Sequence, residues 1–436
     1  MSFSKGFLWG AASAAYQIEG GYDEGGKGAG IWDALSSGHI KHDENGNVAC
    51  DHYHRYREDI ALMRQIGLKS YRFSISWPRG ISAEGCINEE GLAFYSRLVD
   101  ELLMAGIEPI VTLFHWNLPM WLHEKGGWEN EAIAEAFAHY AGVVVDSLSD
   151  RVRYWLTINE PQCFAALGYA TGVHAPFLKK PEVLKRVARN IMLSHGRAVC
   201  EIRRHAKRIP HIGMAPTGVG VTPFDETEDS IRQARELTYS DIVGSAGNIW
   251  WMDPIILGEI PSPLRDVLSQ EDIRQICQPL DFFGFNIYHS LNYLGLKAVS
   301  DPCAYPGQPK TAMDWAITPE CLYWMTRFHY ERYHLPVMIT ENGMANVDFP
   351  MLDGKVHDPQ RIDFIHRYLL ALKRAADEGI PVIGYQYWSI MDNFEWAEGY
   401  DKRFGLIYVD YRTGERKLKD SAYYYADVIR ENGENL

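Results

Sequence analysis

Eight short apolar segments recur along this chain, and amphipathic stretches of helical length lie between most of them. Strands that alternate with helices are typical of a parallel sheet. No low-complexity tract and no Pro- or Ser-rich linker divides the 436 residues. Eight strand–helix units therefore predict an α/β fold closed into one (β/α)8 TIM barrel, with residues 1–436 as a single domain. The apolar segments are 7–16, 70–76, 108–116, 154–161, 211–219, 281–289, 336–343 and 382–393.

Long irregular segments follow several of the predicted strands. In a (β/α)8 barrel, the loops at the carboxyl ends of the strands carry the functional residues. Loops of this length are more often functional than not. We therefore expect the segments 36–52, 171–182, 222–232, 296–318 and 394–405 to be βα loops that build a pocket.

The bulk composition excludes several classes of partner. The 43 Lys and Arg against 57 Asp and Glu give a net charge of −14, and no basic stripe offsets it, so a nucleic-acid partner is not expected. The sequence contains no apolar run long enough to predict a membrane span. Its N-terminal apolar stretch is too short for a signal peptide.

Cysteine usage points to a reducing compartment. The seven cysteines are odd in number and show no CxxC spacing, which indicates reduced thiols rather than a disulfide framework or a zinc site. We therefore expect a cytoplasmic protein. The sequence leaves open whether the chain forms a homo-oligomer.

Two glutamates end the fourth and the seventh predicted strands, Glu160 in YWLTINEP and Glu341 in PVMITENG. Burial of an ionised carboxylate is costly unless the group is paired or hydrogen-bonded. A carboxylate at the end of a core strand is therefore better suited to chemistry than to packing. Strands four and seven lie nearly opposite each other around a barrel mouth. Two carboxylates that face each other there are what the cleavage of a glycosidic bond requires.

Other polar side chains lie at the same predicted strand ends. In a retaining mechanism one carboxylate is the nucleophile and the other carboxyl group donates a proton, about 5–5.5 Å away, so their pKa values must differ. Glu160 follows Asn159, whose side-chain amide is neutral and supplies no charge. We therefore expect the pKa of Glu160 to be raised, which suits a proton donor. Glu341 needs a cation and hydrogen bonds to stay ionised, for which Arg72 and Tyr288 are the candidates. Sequence spacing does not give the carboxylate separation. The polar side chains at the predicted strand ends, besides the two glutamates, are those of Arg72, His115, Asn159, Asn286, Tyr288 and Trp388.

Six sequence blocks occur in an order that matches a known family. The blocks are FLWGAASAAYQIEG, RFSISWPR, TLFHWNLP, TINEP, ITENG and YWSIMDNFEWAEGYDKRFGLIYVD. They resemble the signatures of glycoside hydrolase family 1, the β-glucosidase family of clan A barrels. Six ordered blocks are far more specific than any one of them, and the resemblance extends from about residue 3 to residue 425.

The resemblance implies an enzyme with small β-glucosides and oligosaccharides as its partners. It implies a retaining, exo-acting β-glucosidase in carbohydrate metabolism and cellulose degradation, with Glu160 as acid/base and Glu341 as nucleophile. The expected substrates are terminal nonreducing β-D-glucosyl residues of β-glucosides and short cello-oligosaccharides, together with β-D-fucosides and β-D-galactosides. Hydrolysis proceeds through a glycosyl-enzyme intermediate, which also allows transglycosylation. No metal and no cofactor is implied.

The resemblance also implies which residues bind the sugar. The nonreducing sugar is gripped by Gln17, His115, Trp116, Asn159, Trp388, Glu395 and Trp396, with Phe404 on its flank. Gln17 and Glu395 would each bridge two hydroxyls, a bidentate geometry that separates sugar epimers. We further expect Cys163, His174 and Trp315 to line the aglycone side.

Two alternative functions stay open. The first is a barrel that binds carbohydrate without cleaving it, although the presence of both glutamates argues against this. The second is a 6-phospho-β-glucosidase. In that branch of the family a Ser replaces the sugar-binding Glu, and a Lys and a Tyr follow seven and nine positions later to hold phosphate. The corresponding residues here are Glu395, Lys402 and Phe404; only the Lys matches, and Glu395 would repel a phosphate dianion.

Two positions depart from the family pattern. Gln162 follows TINEP where bacterial members usually have Trp, and Asn117 stands in TLFHWNLP where TLFHWDLP is common. Gln162 is expected toward the aglycone side. The departure therefore bears on the preferred leaving group or acceptor and leaves the catalytic assignment unchanged.

Overall fold

The computed structural model describes residues 3–241, 244–292 and 306–436. Its centre is an eight-stranded parallel sheet, and each of the eight apolar segments supplies one strand. The strands are β1 (Leu8–Ala12), β2 (Ser70–Ser74), β3 (Glu108–Phe114), β4 (Tyr154–Asn159), β5 (His211–Ala215), β6 (Phe283–Asn286), β7 (Val337–Asn342) and β8 (Val382–Trp388). The sheet order β5-β4-β3-β2-β1-β8-β7-β6 follows the chain around a ring. The prediction of a (β/α)8 barrel is confirmed.

The ring closes where β5 meets β6, the two ends of the sheet order. The Asn286 N–H donates to the Pro216 carbonyl oxygen at 2.8 Å. Gly284 permits this approach, because a Cβ at that position would lie 2.5 Å from the Met214 carbonyl oxygen. The carboxyl ends of all eight strands are therefore arranged around one mouth.

Side chains, rather than solvent, fill the barrel interior. One cluster of almost fully buried residues comes from the strands and their approaches: Ile110, Leu156, Ala215, Phe282 and Met338. Burial of each large apolar side chain contributes about 1.5–3 kcal/mol. Because this layer is packed, space for a ligand lies at the strand ends.

Helices surround the barrel. The longer ones are α1 (His52–Ile66), α2 (Glu89–Met104), α3 (Ile133–Leu148), α4 (Leu184–His205), α5 (Glu228–Thr238), α6 (Gln270–Ile276), α7 (Cys321–Tyr333), α8 (Pro359–Asp377) and α9 (Asp420–Arg430). Shorter helical turns are Ala15–Ile18, Ile31–Leu35, Lys41–Asp43, Trp77–Gly80, Met120–His123, Gly127–Glu129, Pro161–Ala165, Ala166–Thr171, Pro181–Val183, Gly244–Ala246, Asn248–Met252, Asp253–Leu257, Ser262–Leu264 and Trp396–Glu398. Within the described ranges, none of the helices has the length and apolar character needed to cross a membrane.

Three small two-stranded sheets lie outside the barrel. They pair Ile81–Ala83 with Cys86–Ile87, Val221–Thr222 with Leu291–Asn292, and Ile407–Val409 with Arg416–Leu418. The second of these joins the segments that follow β5 and β6. It therefore ties together two loops on the same side of the mouth.

The predicted loop 222–232 runs into one of the longer helices, α5. The Thr227 hydroxyl accepts the Ser230 N–H at 3.4 Å, and Glu228 and Asp229 place negative charge in the first turn of α5. Both features stabilise a helix N-terminus. The prediction of an irregular segment over 222–232 is therefore wrong from residue 228 onward. Residues 296–305 of the predicted loop 296–318 lie outside the described residues.

A buried cluster of charges joins the segments after β7 and β8. The Lys419 ammonium donates to Asp348 Oδ2 at 2.6 Å and to Asp392 Oδ1 at 2.7 Å. Asp392 also accepts the Gly405 N–H at 3.0 Å and the Arg403 guanidinium at 2.7 Å. Because Asp348 follows β7 and Asp392 follows β8, one cation holds both loops against the segment before α9.

Replacing Lys419 by Met should destabilise the fold, because two buried carboxylates lose their shared cation. Removing one partner of a buried ion pair costs about 3–5 kcal/mol. We expect the free energy of unfolding in urea to fall by that amount. The control is Lys417→Met, which removes a partly exposed ion pair with Glu415. It should change the free energy of unfolding by less than about 0.5 kcal/mol. Equal effects of the two substitutions would contradict the role of the cluster.

Candidate active site

Glu160 and Glu341 lie at the carboxyl ends of β4 and β7 and line one cavity of about 730 Å³. Both side chains are buried. Glu160 has a left-handed backbone, with a φ of 41°, and its N–H donates to the Ala215 carbonyl oxygen at 2.7 Å. Positive φ at a non-glycine residue is uncommon and is concentrated at functional sites. Glu341 lies opposite Asn286 in the ladder between β7 and β6.

Arg72 of β2 is the cation next to Glu341. Its Nη1 donates to Glu341 Oε1 at 2.6 Å and to the Thr340 carbonyl oxygen at 2.9 Å. Its Nη2 donates to Asn159 Oδ1 at 2.6 Å, and its Nε donates to Thr112 Oγ1 at 3.1 Å. The Arg72 side chain is 1% exposed, so the ion pair lies away from water, where attraction is strong and desolvation is costly. Four fixed acceptors offset that cost.

Asn286 and Tyr288 complete the contacts of the two carboxylates. Asn286 Nδ2 donates to Glu160 Oε1 at 2.9 Å and to Asn159 Oδ1 at 3.0 Å. The Tyr288 hydroxyl donates to Glu341 Oε2 at 2.6 Å. Glu341 thus receives a guanidinium and a phenol hydroxyl, whereas the amide that Glu160 receives is neutral.

Burial raises the pKa of both carboxyl groups, but different neighbours oppose the rise at each of them. Burial and the nearby Glu341 charge raise the pKa of Glu160 to about 7, and the Asn286 amide only partly opposes this rise. Burial also raises the pKa of Glu341, but the Arg72 cation and the Tyr288 hydroxyl favour its ionised form. Glu160 is therefore the better proton donor near neutral pH, and Glu341 is the better anion.

Aromatic side chains wall the inner part of the cavity. The His115 ring stacks on Trp388 at a centroid distance of 5.8 Å and on Trp396 at 5.9 Å. The Trp116 ring lies 4.7 Å from that of Trp396, and its indole N–H donates to the Asn159 carbonyl oxygen at 3.1 Å. Burial and a nearby cation hold the pKa of His115 well below its ordinary value, so the ring is neutral and can both donate and accept hydrogen bonds.

Glu395, after β8, is a third buried carboxylate of the cavity. Gln17 Nε2 contacts Glu395 Oε2 at 3.4 Å and donates to the Phe394 carbonyl oxygen at 2.7 Å. The buried Gln17 Oε1 has no partner among the described residues. Burial raises the pKa of Glu395 to about 8, with the charges of the other two glutamates adding to the effect. A free acceptor beside a carboxyl group suits a ligand with several hydroxyls.

The remaining predicted residues lie around the same cavity. Trp315 packs 5.1 Å from Tyr288 and 6.1 Å from Phe404, measured between ring centroids. His174 lies 5.3 Å from Trp116, and Cys163 also lines the cavity. The predicted residues that do not line the cavity are Arg72, Asn286 and Gln17; these hold the lining residues Glu341, Asn159, Glu160 and Glu395 from behind.

Two threonines of the site were not predicted from the sequence. The Thr340 hydroxyl donates to Asn286 Oδ1 at 2.7 Å, and the Thr112 hydroxyl accepts from Arg72. The feature of the sequence that could have identified them is a hydroxyl side chain on an otherwise apolar strand. Part of the cavity wall also went unpredicted because its residues belong to no motif; it includes Leu167, Val173, Val219, Ala246, Leu291 and Met313.

The two departures from the family pattern lie next to the cavity rather than on its wall. Gln162 Nε2 donates to the Thr217 carbonyl oxygen at 2.5 Å, and Thr217 lines the cavity. Asn117 Oδ1 accepts the Trp32 N–H at 3.3 Å. Gln162 therefore acts on the cavity through the backbone of the segment that follows β5.

Metal-ligating side chains do not cluster in the part of the chain that the structure describes. No group of three or more His, Cys, Asp or Glu side chains there is arranged to hold a metal ion. The carboxylates of Glu160 and Glu341 accept hydrogen bonds from Asn286, Arg72 and Tyr288 instead.

Comparison with known proteins assigns the family. The family profile "Glycosyl hydrolase family 1" matches residues 1–434. A β-glucosidase A of Acetivibrio thermocellus is 42% identical over 453 aligned residues, which cover 99% of each chain. The structure of a β-glucosidase from Thermotoga maritima in complex with glucoimidazole has a TM-score of 0.90, with 41% identity and 99% of both chains covered. An aryl-phospho-β-D-glucosidase of Bacillus subtilis is 38% identical and covers 100% of this chain and 98% of its own.

The chain belongs to glycosyl hydrolase family 1. A profile match across residues 1–434, together with relatives aligned over almost their whole length, establishes this membership. The sequence-based predictions of the family, of a hydrolase and of the barrel fold are confirmed.

Tyr288→Phe should raise the pKa of Glu341 further, because the ionised carboxylate loses a hydrogen-bond donor. Carbon-13 NMR of carboxyl-labelled glutamate measures this pKa directly. Tyr385→Phe removes another buried hydroxyl, which donates to Asn342 Oδ1 at 2.9 Å, and serves as the control. A pKa of Glu341 that is unchanged or lower in Tyr288→Phe would rule out this electrostatic role.

Proposed function

We propose that this protein is a retaining, exo-acting β-glucosidase. Its substrates are the terminal nonreducing β-D-glucosyl residues of small β-glucosides and short cello-oligosaccharides. The observation that carries the proposal is the unlike surroundings of two buried carboxylates in one cavity. Glu341 is held by a guanidinium and a hydroxyl, whereas Glu160 is held by a neutral amide. A nucleophile and a proton donor need this difference.

Glu341 is the nucleophile in the first step. Its carboxylate oxygen forms a bond to the anomeric carbon as the glycosidic C–O bond breaks, and the departing oxygen takes the proton of Glu160. In the second step the Glu160 carboxylate takes a proton from water, and the water oxygen displaces Glu341 from the anomeric carbon. Two inversions at one carbon retain the β configuration.

The residues behind the carboxylates orient both steps. Arg72 and Tyr288 each bind a different oxygen of Glu341 at 2.6 Å, which leaves each oxygen a second lone pair. Asn286 holds Glu160 by one oxygen. These fixed donors need no reorganisation during the reaction, which is the main advantage of a preorganised site.

The shape of the inner cavity supports exo action on a sugar. Trp388, Trp396 and Phe404 are buried and line the cavity, and Glu395 lies on the same loop as the last two. A chain end fits such a pocket, whereas an internal residue of a polymer does not. Glu395 and the free Gln17 Oε1 would bind the sugar hydroxyls. β-D-fucosides and β-D-galactosides are further substrates, and a sugar in place of water gives transglycosylation.

A 6-phospho-β-glucosidase is the second candidate, because the relative named an aryl-phospho-β-D-glucosidase is 38% identical. The charges of the site disfavour it. Lys402 Nζ donates to the Ala312 carbonyl oxygen at 2.7 Å and lies 3.8 Å from Glu398. Because Glu395 lines the cavity together with Glu160 and Glu341, a phosphate dianion there would meet buried acidic groups rather than a free ammonium.

Hydrolysis of a chromogenic aryl β-glucoside, followed by NMR, tests the proposed function. We expect chromophore release and β-glucose as the first-formed anomer. α-Glucose as the first product would exclude retention. Binding of glucose without chromophore release would support the noncatalytic barrel. A requirement for the 6-phosphorylated substrate would support the second candidate.

Glu341→Gly should lower turnover by about 10⁴-fold or more, because the covalent intermediate no longer forms. Added azide should restore part of the activity and give the α-glucosyl azide, since it attacks once from the vacated side. The matched variant Glu160→Ala should give the β-glucosyl azide, because its intermediate still forms on Glu341. Product configuration is read by NMR, and the reversed pattern would exchange the two roles.

The pH dependence of kcat/KM should show an alkaline limb near pH 7, because Glu160 must carry its proton and its pKa is raised to about 7. The protonated form is present below that pH and is lost above it. Glu160→Gln should remove the limb and slow substrates with poor leaving groups by about 10²–10⁴-fold. Glu395→Gln should keep the limb. If the limb disappears in Glu395→Gln instead, it reports the titration of Glu395, and the assignment to Glu160 is wrong.

A further inference from the structure

One peptide group in the loop after β8 is hydrogen-bonded on both of its sides. Its carbonyl oxygen, that of Gly399, accepts the Glu395 N–H at 2.7 Å. Its N–H, that of Tyr400, donates to Glu44 Oε2 at 2.7 Å. Because the peptide group is planar and rigid, the Glu44 carboxylate is joined through it to the backbone of Glu395. Glu395 lines the cavity, whereas Glu44 lies outside it, in the segment that follows β1.

Gly399 makes room for the Glu44 carboxylate. A Cβ at position 399 would lie 2.1 Å from Glu44 Oε2, so a side chain and the carboxylate could not share this space. Gly399 also has a φ of 59° and a ψ of −130°, a conformation that favours glycine. The backbone of the loop after β8 is therefore shaped to receive Glu44 at this point.

The backbone on either side of Glu44 is also specialised. His42 and Asp43 are both left-handed, with φ values of 58° and 55°, although neither is a glycine. Positive φ at such residues is uncommon and is concentrated at functional sites. Two residues after Glu44, the Gly46 N–H donates to the buried Tyr16 hydroxyl at 3.2 Å. Glu44 thus lies between a tight turn and an anchored glycine, which fixes where its carboxylate meets the loop after β8.

Other contacts between the same two segments are more exposed. Lys41 Nζ lies 2.6 Å from Asp401 Oδ2, and the two side chains are 43% and 39% exposed. Ion pairs of this kind contribute little, because water screens them. The Tyr400 hydroxyl donates to the Asn45 carbonyl oxygen at 2.7 Å, also near the surface. Of these contacts, the one made by Glu44 is the one that continues to the backbone of a residue on the cavity wall.

We propose that Glu44 is a positioning residue, which holds Glu395 in place for the sugar hydroxyls through the peptide group between Gly399 and Tyr400. Hydrogen bonds in a chain polarise one another. The charge-assisted bond from the Tyr400 N–H to Glu44 therefore makes the Gly399 carbonyl oxygen a better acceptor for the Glu395 N–H. The proposal rests on the proposed β-glucosidase function and adds a residue that acts on its sugar-binding side from behind.

Kinetics with a dinitrophenyl β-D-glucoside test this role, because its good leaving group keeps slow variants measurable. Glu44→Ala should lower kcat/KM by about tenfold, the factor for one hydrogen bond to a charged group. The loss should lie mainly in a higher KM, since Glu395 would bind hydroxyls and not the bond that breaks. Glu44→Gln keeps an acceptor for the Tyr400 N–H and should stay within about threefold of the unchanged protein. Lys41→Ala is the matched control from the same segment and should stay within about twofold.

A double-mutant cycle separates an effect through Glu395 from a general effect on the loop. Glu395→Ala removes the side chain that Glu44 positions. Adding Glu44→Ala to that variant should then lower kcat/KM by less than about twofold, because the two changes act on one interaction. A further tenfold loss in that background would show that Glu44 acts independently of Glu395 and would overturn the proposal.

The possible outcomes separate this proposal from the proposed function. Unchanged kcat/KM in Glu44→Ala, or an equal loss in Lys41→Ala, overturns the positioning role and leaves the β-glucosidase function standing, because the unchanged protein still cleaves the glucoside. A loss that appears in kcat alone, with KM unchanged, also overturns it. Failure of the unchanged protein to release the chromophore overturns both.

Discussion

The buried ion pair between Arg72 and Glu341 is the interaction on which the site depends. A guanidinium that is 1% exposed is tolerable only where each of its donors finds an acceptor. From β2, Arg72 reaches β3, β4 and β7 through Thr112, Asn159 and Thr340. It therefore links residues of three other strands, of which β7 lies across the ring from β3 and β4, and holds Glu341 in place. The Asn159 amide, whose oxygen also accepts from Asn286, is oriented by the same cation.

The placement of one cation explains why two identical side chains take different roles. Both glutamates lose hydration in the cavity, which raises the pKa of each. Arg72 hydrogen-bonds Glu341 and not Glu160, so the ionised form is favoured more strongly at Glu341 than at Glu160. The barrel makes this possible, because strands four and seven present their ends to one mouth. At Glu395, burial and the charges of the other two glutamates together raise the pKa to about 8, and the hydrogen bond that opposes the rise comes from the neutral Gln17 amide.

The strands and the two glutamates were predictable because their signals are local. Eight apolar runs mark the strands, and Glu160 and Glu341 each follow such a run with a turn signal behind it. The contacts that divide their roles are not local. Asn286 lies 126 residues from Glu160, and Arg72 lies 269 residues from Glu341. Sequence reasoning proposed Arg72 and Tyr288 as partners of Glu341, but it could not supply their distances.

Other features depend on the paths of loops, which periodicity does not describe. The apolar wall of the cavity comes from residues with no motif, such as Leu167 and Val173, and becomes visible only when three loops converge. The Lys419 cluster joins segments on both sides of α8. The prediction of a loop over 222–232 missed the start of α5, where Glu228 and Asp229 follow the Thr227 cap and begin a helix.

Mass spectrometry of a trapped intermediate tests most directly that Glu341 is the nucleophile and Glu160 the proton donor. A dinitrophenyl 2-deoxy-2-fluoro-β-glucoside slows both steps through its fluorine and speeds only the first through its leaving group, so the glycosyl-enzyme accumulates. The account predicts one fluoroglucosyl group per chain, on the peptide that contains Glu341. A label on Glu160 or Glu395, or inactivation without a covalent label, would contradict it.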